Sequence, residues 1–187
     1  LKAAFYQVFV GVLMGILLQI VNAALIIGGQ AVSASMGLSM ANMVDPSMGN
    51  VPVIAQFFVI CSTLIFLGLG GHVLVISLLL ESFELLPINS ALDLQGLLKL
   101  TIEWSAMMFV GAILIGLPLM ASLLFINIGL GVITRTAPAL NIFAVGFPAM
   151  ILAGIVLLSL SMTSIGYRIQ WLWQESFEII GQALGIR

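Results

Sequence analysis

The five basic and seven acidic side chains of this 187-residue chain are spaced so unevenly that they leave four uncharged runs, residues 3 to 44, 46 to 80, 104 to 134 and 136 to 167. Each run exceeds the roughly 20 residues that cross a bilayer as a helix. In lipid a backbone must satisfy its N–H and C=O groups within its own segment or in a closed barrel, and the period-2 alternation of a barrel is absent. The expected fold class is therefore all-α, in a membrane or membrane-complex subunit. Composition agrees, since 62% of residues are apolar and only 6% charged, against roughly 25% charged in a soluble domain. A net charge of −2 and a pI near 5.1 lack the basic footprint that nucleic acid requires. The single cysteine, Cys61, cannot form an internal disulfide, and no Cys/His cluster has zinc-site spacing. A chain that starts at Leu1 and enters an apolar run after Lys2 is expected to lack its native N-terminus; no signal peptide is visible in it.

Thirty-one residues of helix reach about 45 Å, against a hydrocarbon core of about 30 Å, so breaks within the runs are expected. Gly28 and Gly29 begin a region of fading apolar periodicity, and the small, polar, methionine-bearing stretch that follows reads as a long loop. Helix is expected to resume near Pro52, to reach Gly68, Gly70 and Gly71, and to continue from Val73 until Pro87 stops it. Ser90 to Asp93 fits a capping box for a next helix. Pro118 and Pro148 are expected to divide the last two runs, with a turn over Thr134 to Pro138. The resulting organisation is a first helical region (1–32), a loop (33–50), a helical hairpin (51–86), a polar connector (87–103) and C-terminal helical hairpins (104–187), all built from kinked helices.

No catalytic, cofactor-binding or metal site is expected. A nucleophile needs a base and an orienting partner, a metal needs clustered ligands, and no phosphate-binding glycine loop is present. His72, the only histidine, reads as structural rather than as a proton carrier, and Glu81 and Glu84 as a solvated helix end. Arg135 stands alone between two uncharged runs; at a hairpin tip it reaches water or phosphate, whereas at the bilayer centre it would cost about 2.5–3.5 kcal/mol. Trp171 and Trp173 beside Arg168 read as an interfacial anchor. Gly11 with Gly15, and Gly181 with Gly185, are spaced for close helix contact, or are simply background in a chain of 19 glycines. Met36, Met40, Met43 and Met48 fall in the loop, where flexible thioethers suit a deformable apolar seal or merely decorate a mobile connection.

Met36-Gly37-Leu38-Ser39 with Val44-Asp45-Pro46, Val51 to Phe57, Gly71-His72 and Ser82 to Pro87 resemble the FliR family of bacterial flagellar biosynthesis proteins. Ala137 to Phe143 followed by Val145-Gly146-Phe147-Pro148 resembles the family's second hallmark. The likeness runs in order along nearly the whole chain. It departs from the family in lacking the N-terminal hydrophobic region and in carrying Met40 and Met43 where relatives often have phenylalanine.

The resemblance implies a non-enzymatic subunit of the flagellar type III export gate, joined to FliP and FliQ, and also to FlhB, in a channel for unfolded flagellar proteins. It implies the bacterial inner membrane and flagellar basal body, partly raised toward the periplasm, in contact with lipid. It further implies that the loop, through Met36, Gly37, Leu38, Met40, Met43 and Val44, plugs the resting channel. Two alternatives from other classes remain at this point: a small-solute transporter with a site at broken helices near Pro118 and Pro148, and a purely structural membrane scaffold.

Overall fold

The computed structural model describes residues 2–38, 52–85, 94–136 and 142–185. Six helices account for nearly all of them: α1 (Lys2–Ser35), α2 (Val53–Gly68), α3 (Gly71–Leu85), α4 (Leu94–Ser105), α5 (Met107–Thr136) and α6 (Ile142–Leu184). The all-α expectation holds. The helices are longer and less interrupted than expected, however. α1 runs through Gly28 and Gly29 and past Ser33, α5 continues through Pro118, and α6 continues through Pro148. Each proline forfeits one backbone hydrogen bond, at about 3 kcal/mol. Breaking the helix in an apolar setting would strip several such groups at once, so continuing it is the cheaper solution.

The two glycines of α1 serve close approach rather than a break. A Cβ on Gly29 would overlap the Ala55 backbone of α2, and one on Gly28 would stand 3.1 Å from the Ala112 carbonyl of α5. α1 is therefore wedged between both helices. Gly111 faces Ala24 and Gly116 faces Val32, so α1 and α5 run side by side in the same direction. α6 returns antiparallel to α5: Leu172 lies beside Gly111 near the start of α5, while Phe147 and Met150 share a cavity wall with Asn127 and Leu130 near its end. One end of the bundle thus gathers the C-termini of α1 and α5 with the N-terminus of α6. The opposite end gathers the start of α1, α4 and the end of α6, where Val10, Leu97 and Leu184 line one small cavity.

Where a helical hairpin is expected over 51–86, two helices, α2 and α3, meet at a 66° bend. Gly70 makes that bend: its φ of 71° is cheap only for glycine, and its N–H donates to the Leu67 carbonyl at 3.0 Å. Part of the expected polar connector is helical, because α4 starts at Leu94 and is separated from α5 only by a turn at Ala106. The capping box over Ser90 to Asp93 and the turn residues Ala137 and Pro138 lie outside the described residues.

Packing corrects two further expectations. Trp173 is a core residue, 5% exposed, rather than an interfacial anchor. Its indole N–H donates to the Ser62 hydroxyl of α2 at 2.9 Å, and its ring sits 4.7 Å from that of Phe66. Trp104 similarly donates to the Leu17 carbonyl at 3.1 Å, tying α4 to α1. Among the described residues nothing lies within 4 Å of an added Cβ on Gly11, Gly15 or Gly181, so neither glycine pair makes a helix contact within the described structure. Gly185 instead ends α6 with a φ of 77°.

Apolar side chains also cover much of the outside. Phe125 and Leu160 are 75% and 77% exposed, in the company of many other large aliphatic residues. Phe5–Ser35, Leu94–Thr136 and Gly146–Leu184 are each long and apolar enough to cross a membrane, and the bent α2–α3 pair passes the same test jointly. Such a surface belongs in lipid or against other apolar helices. The protein is membrane-embedded.

Candidate functional site at the end of the α1 helix

Three of the residues singled out in the loop lie within the described structure. Met36, Gly37 and Leu38 follow directly on α1, with the Met36 N–H donating to Val32 and the Gly37 N–H to Ala34, both at 3.0 Å. Gly37 has a φ of 79°, which turns the chain out of the helix where a residue with a Cβ would be strained. A Cβ there would make an ordinary 3.4 Å contact with the Phe147 ring of α6, so the backbone angle and not the space is what favours glycine. Met40, Met43 and Val44 lie outside the described residues.

Met36 is 1% exposed. Its thioether lies in a notch on α6 made by the missing side chain of Gly154, so closely that a Cβ there would overlap it. Leu38 is partly buried against the same core. The segment therefore leaves α1 from a pinned methionine, with its backbone direction set by one glycine and one aromatic ring. Beside it opens a cavity of about 310 Å³ whose walls include Ser35, Met36, Asn127, Leu130, Phe147 and Met150. Asn127 supplies an amide to a wall that is otherwise mainly apolar.

Arg135 is exposed in the last turn of α5, at the same end of the bundle as Met36. A cation there also complements the negative end of the helix dipole. His72 is exposed in the first turn of α3, and Glu81 and Glu84 are exposed near its end. Among the described residues no three His, Cys, Asp or Glu side chains are grouped to hold a metal. The arrangement offers no acid–base pair. What it can do is mechanical: present a short apolar segment, held at one end, at the mouth of a helical bundle.

Sequence reasoning found Met36 and Gly37, and Phe147 only as part of a motif, but not Gly154, whose open face receives the Met36 thioether. Gly154 carries no local signal among 19 glycines; only contact across α1 and α6 distinguishes it.

The sequence pattern of the bacterial export proteins, family 1, matches residues 2–176. The chain belongs to this family. Among curated family-1 export proteins, it is 35% identical to the flagellar biosynthetic protein FliR of Pectobacterium carotovorum subsp. carotovorum over 179 residues, covering 95% of this chain and 69% of that protein. It is 34% identical to FliR of Escherichia coli (strain K12) over 183 residues, covering 97% of this chain and 70% of that protein. FliR of Bacillus subtilis (strain 168) is 32% identical over 167 residues, 87% of this chain and 64% of that protein. Met36 and Gly37, and Arg135 in the last turn of α5 at the same end of the bundle, thus belong to a flagellar export protein, in a family named for export.

Proposed function

We propose that the chain is a subunit of the flagellar type III export gate that assembles with FliP, FliQ and FlhB, and that the segment following α1, residues 36–49 of the loop expected over 33–49, seals the resting channel. Its task is then non-enzymatic: to close a conduit for unfolded flagellar proteins in the inner membrane and basal body, with part of the assembly raised toward the periplasm. The observation that carries this reading is the pinned Met36 and left-handed Gly37 at the bundle mouth. A seal must stay attached while its body repacks around a passing chain. A buried anchor followed by glycine and flexible thioethers meets both demands at modest energetic cost.

A transporter with a site at broken helices loses its physical basis, because α5 and α6 are continuous through Pro118 and Pro148. The scaffold reading predicts that changes in the loop leave permeability untouched. Deleting Gly37 to Met43, or replacing Met40 and Met43 together with serine while the buried anchor Met36 stays in place, separates the two. Co-expressed with FliP and FliQ and confirmed to copurify, both variants should admit small dyes and slow growth, since a less apolar constriction hydrates more readily. Intact complexes that stay tight in both variants would leave the segment a passive connector.

A further inference from the structure

The open side of α1 carries a chemistry that the rest of that helix lacks. Gln19, Asn22, Ile26, Gln30 and Ala34 follow one another at steps of three and four residues, so they share one face of the helix. That face is exposed or half-buried along its length. The other sides of α1 are occupied, since Gly28 meets Ala112 of α5 and Gly29 meets Ala55 of α2. Three amides thus stand on the one side of α1 that the bundle leaves open, within a run that has no charge from residue 3 to 44. The Asn22 amide N–H donates to the Gln19 side-chain oxygen at 3.3 Å, and Gln30 has no hydrogen-bond partner among the described residues. Each of the three therefore has donors or acceptors to spare. The exposed side chains of α5 and α6 include Ile113, Leu117, Leu152, Ile155 and Leu160, which offer none.

Position along the helix says what the amides meet. Gln19 lies about 16 Å from Gln30 along the axis, and Met36 lies about 9 Å further on. Ala34, the next residue of the same face, lines the cavity at the bundle mouth together with Ser35, Met36 and Asn127. The amide face therefore runs into the site already described, and the Asn127 amide of α5 stands at its end. An amide left without a partner is costly against lipid or an apolar helix, whereas water or a peptide group satisfies it. A side-chain amide offers the same donor and acceptor as a peptide bond. It exchanges hydrogen bonds with the backbone of any sequence and holds no charge that would retain a charged stretch.

We propose that the amide face of α1 borders the water-filled conduit on the approach to the seal, and that what it binds is the backbone of the unfolded polypeptide in transit. This rests on the reading of the chain as a gate subunit. The test places the photo-crosslinker benzoylphenylalanine at Gln19, at Gln30 and, as a control, at Leu160, which is 77% exposed on α6. Each chain is co-expressed with FliP and FliQ, and the gate is loaded with flagellin stalled by a tightly folded C-terminal fusion. The Gln19 and Gln30 positions should crosslink to the stalled flagellin, and the Leu160 position should not. If only one of the two substituted chains copurifies with its partners, that position decides. In the same assembled gate, Gln19→Leu with Gln30→Leu should slow flagellin export several-fold, because an apolar wall holds the apolar side chains of a passing segment; Gln19→Asn with Gln30→Asn should restore most of the rate. Adducts to FliP or FliQ from both positions, with none to flagellin, would overturn the proposal and make the amides contacts between helices. So would equal flagellin adducts from Leu160. Flagellin adducts from Gln19 and Gln30 in a gate whose loop variants stay tight would strike the seal and leave the α1 wall standing; leaking loop variants without those adducts would do the reverse. Failure of the unsubstituted chain to copurify with FliP and FliQ would remove the gate reading and this proposal with it.

Discussion

Gly29→Ala and Gly15→Ala make the same change on the same helix and should shift stability in opposite directions. At Gly29 the new methyl would lie 2.8 and 2.9 Å from the Ala55 backbone nitrogen and Cβ, and closer still to its Cα. Ordinary carbon contacts are about 3.5–4.0 Å, so α1 and α2 must part by about 1 Å. The obstacle is backbone, which cannot swing aside as a side chain would. Overpacking of this kind costs about 1–3 kcal/mol, and separation also loosens Phe58, which is fully buried at this contact face of α2. Because the obstacle is rigid backbone, the cost falls at the upper end of that range, about 2–3 kcal/mol, and alanine returns about 1 kcal/mol of helix propensity, leaving a net loss of about 1–2 kcal/mol. At Gly15 nothing lies within 4 Å, so only the propensity gain of about 1 kcal/mol remains. For a chain of this size each kcal/mol moves Tm by about 2–4 °C. Gly29→Ala should therefore melt about 2–8 °C lower than wild type and Gly15→Ala about 2–4 °C higher, read by thermal shift with fluorescence-detected size exclusion in detergent. The isolated chain is the right sample, because a partner helix could occupy the Gly15 face. A Gly29→Ala protein as stable as wild type would refute the close α1–α2 approach.

Three further outcomes follow from the same structure. Ser62→Ala should destabilise by about 1–3 kcal/mol, because it strands the buried Trp173 N–H; the double variant Ser62→Ala with Trp173→Phe should recover part of that loss, and a purely additive result by thermal shift would count against the hydrogen bond. Arg135→Lys should preserve gate assembly and motility better than Arg135→Leu, since lysine keeps the charge and can also snorkel to polar surroundings; near-normal behaviour of both would show that the charge is dispensable. Expressed without FliP, the chain should be degraded faster in cells than when co-expressed, because so much of its apolar exterior lacks a partner; equal lifetimes in a pulse-chase would oppose this.

The charge distribution alone determined that the chain is helical and membrane-embedded, since that conclusion depends on local backbone satisfaction in a solvent without hydrogen bonds. Glycine and proline placed a break over Gly68 to Gly71 and helix boundaries near Pro52 and Pro87, because each is a property of a few neighbouring residues. The tail of α1 was legible in part, through Met36 and Gly37. Tertiary structure decided which glycines matter. Gly28, Gly29 and Gly154 receive another element, whereas Gly11 and Gly15, with the better-looking spacing, meet nothing among the described residues. It also turned Trp173 inward, because a serine on α2 and an aromatic pair supplied partners that no window of α6 contains. Pro118 and Pro148 read as breaks when each helix is considered alone. Within the bundle the neighbouring helices hold α5 and α6 straight enough to continue, because one lost hydrogen bond costs less than opening an apolar backbone.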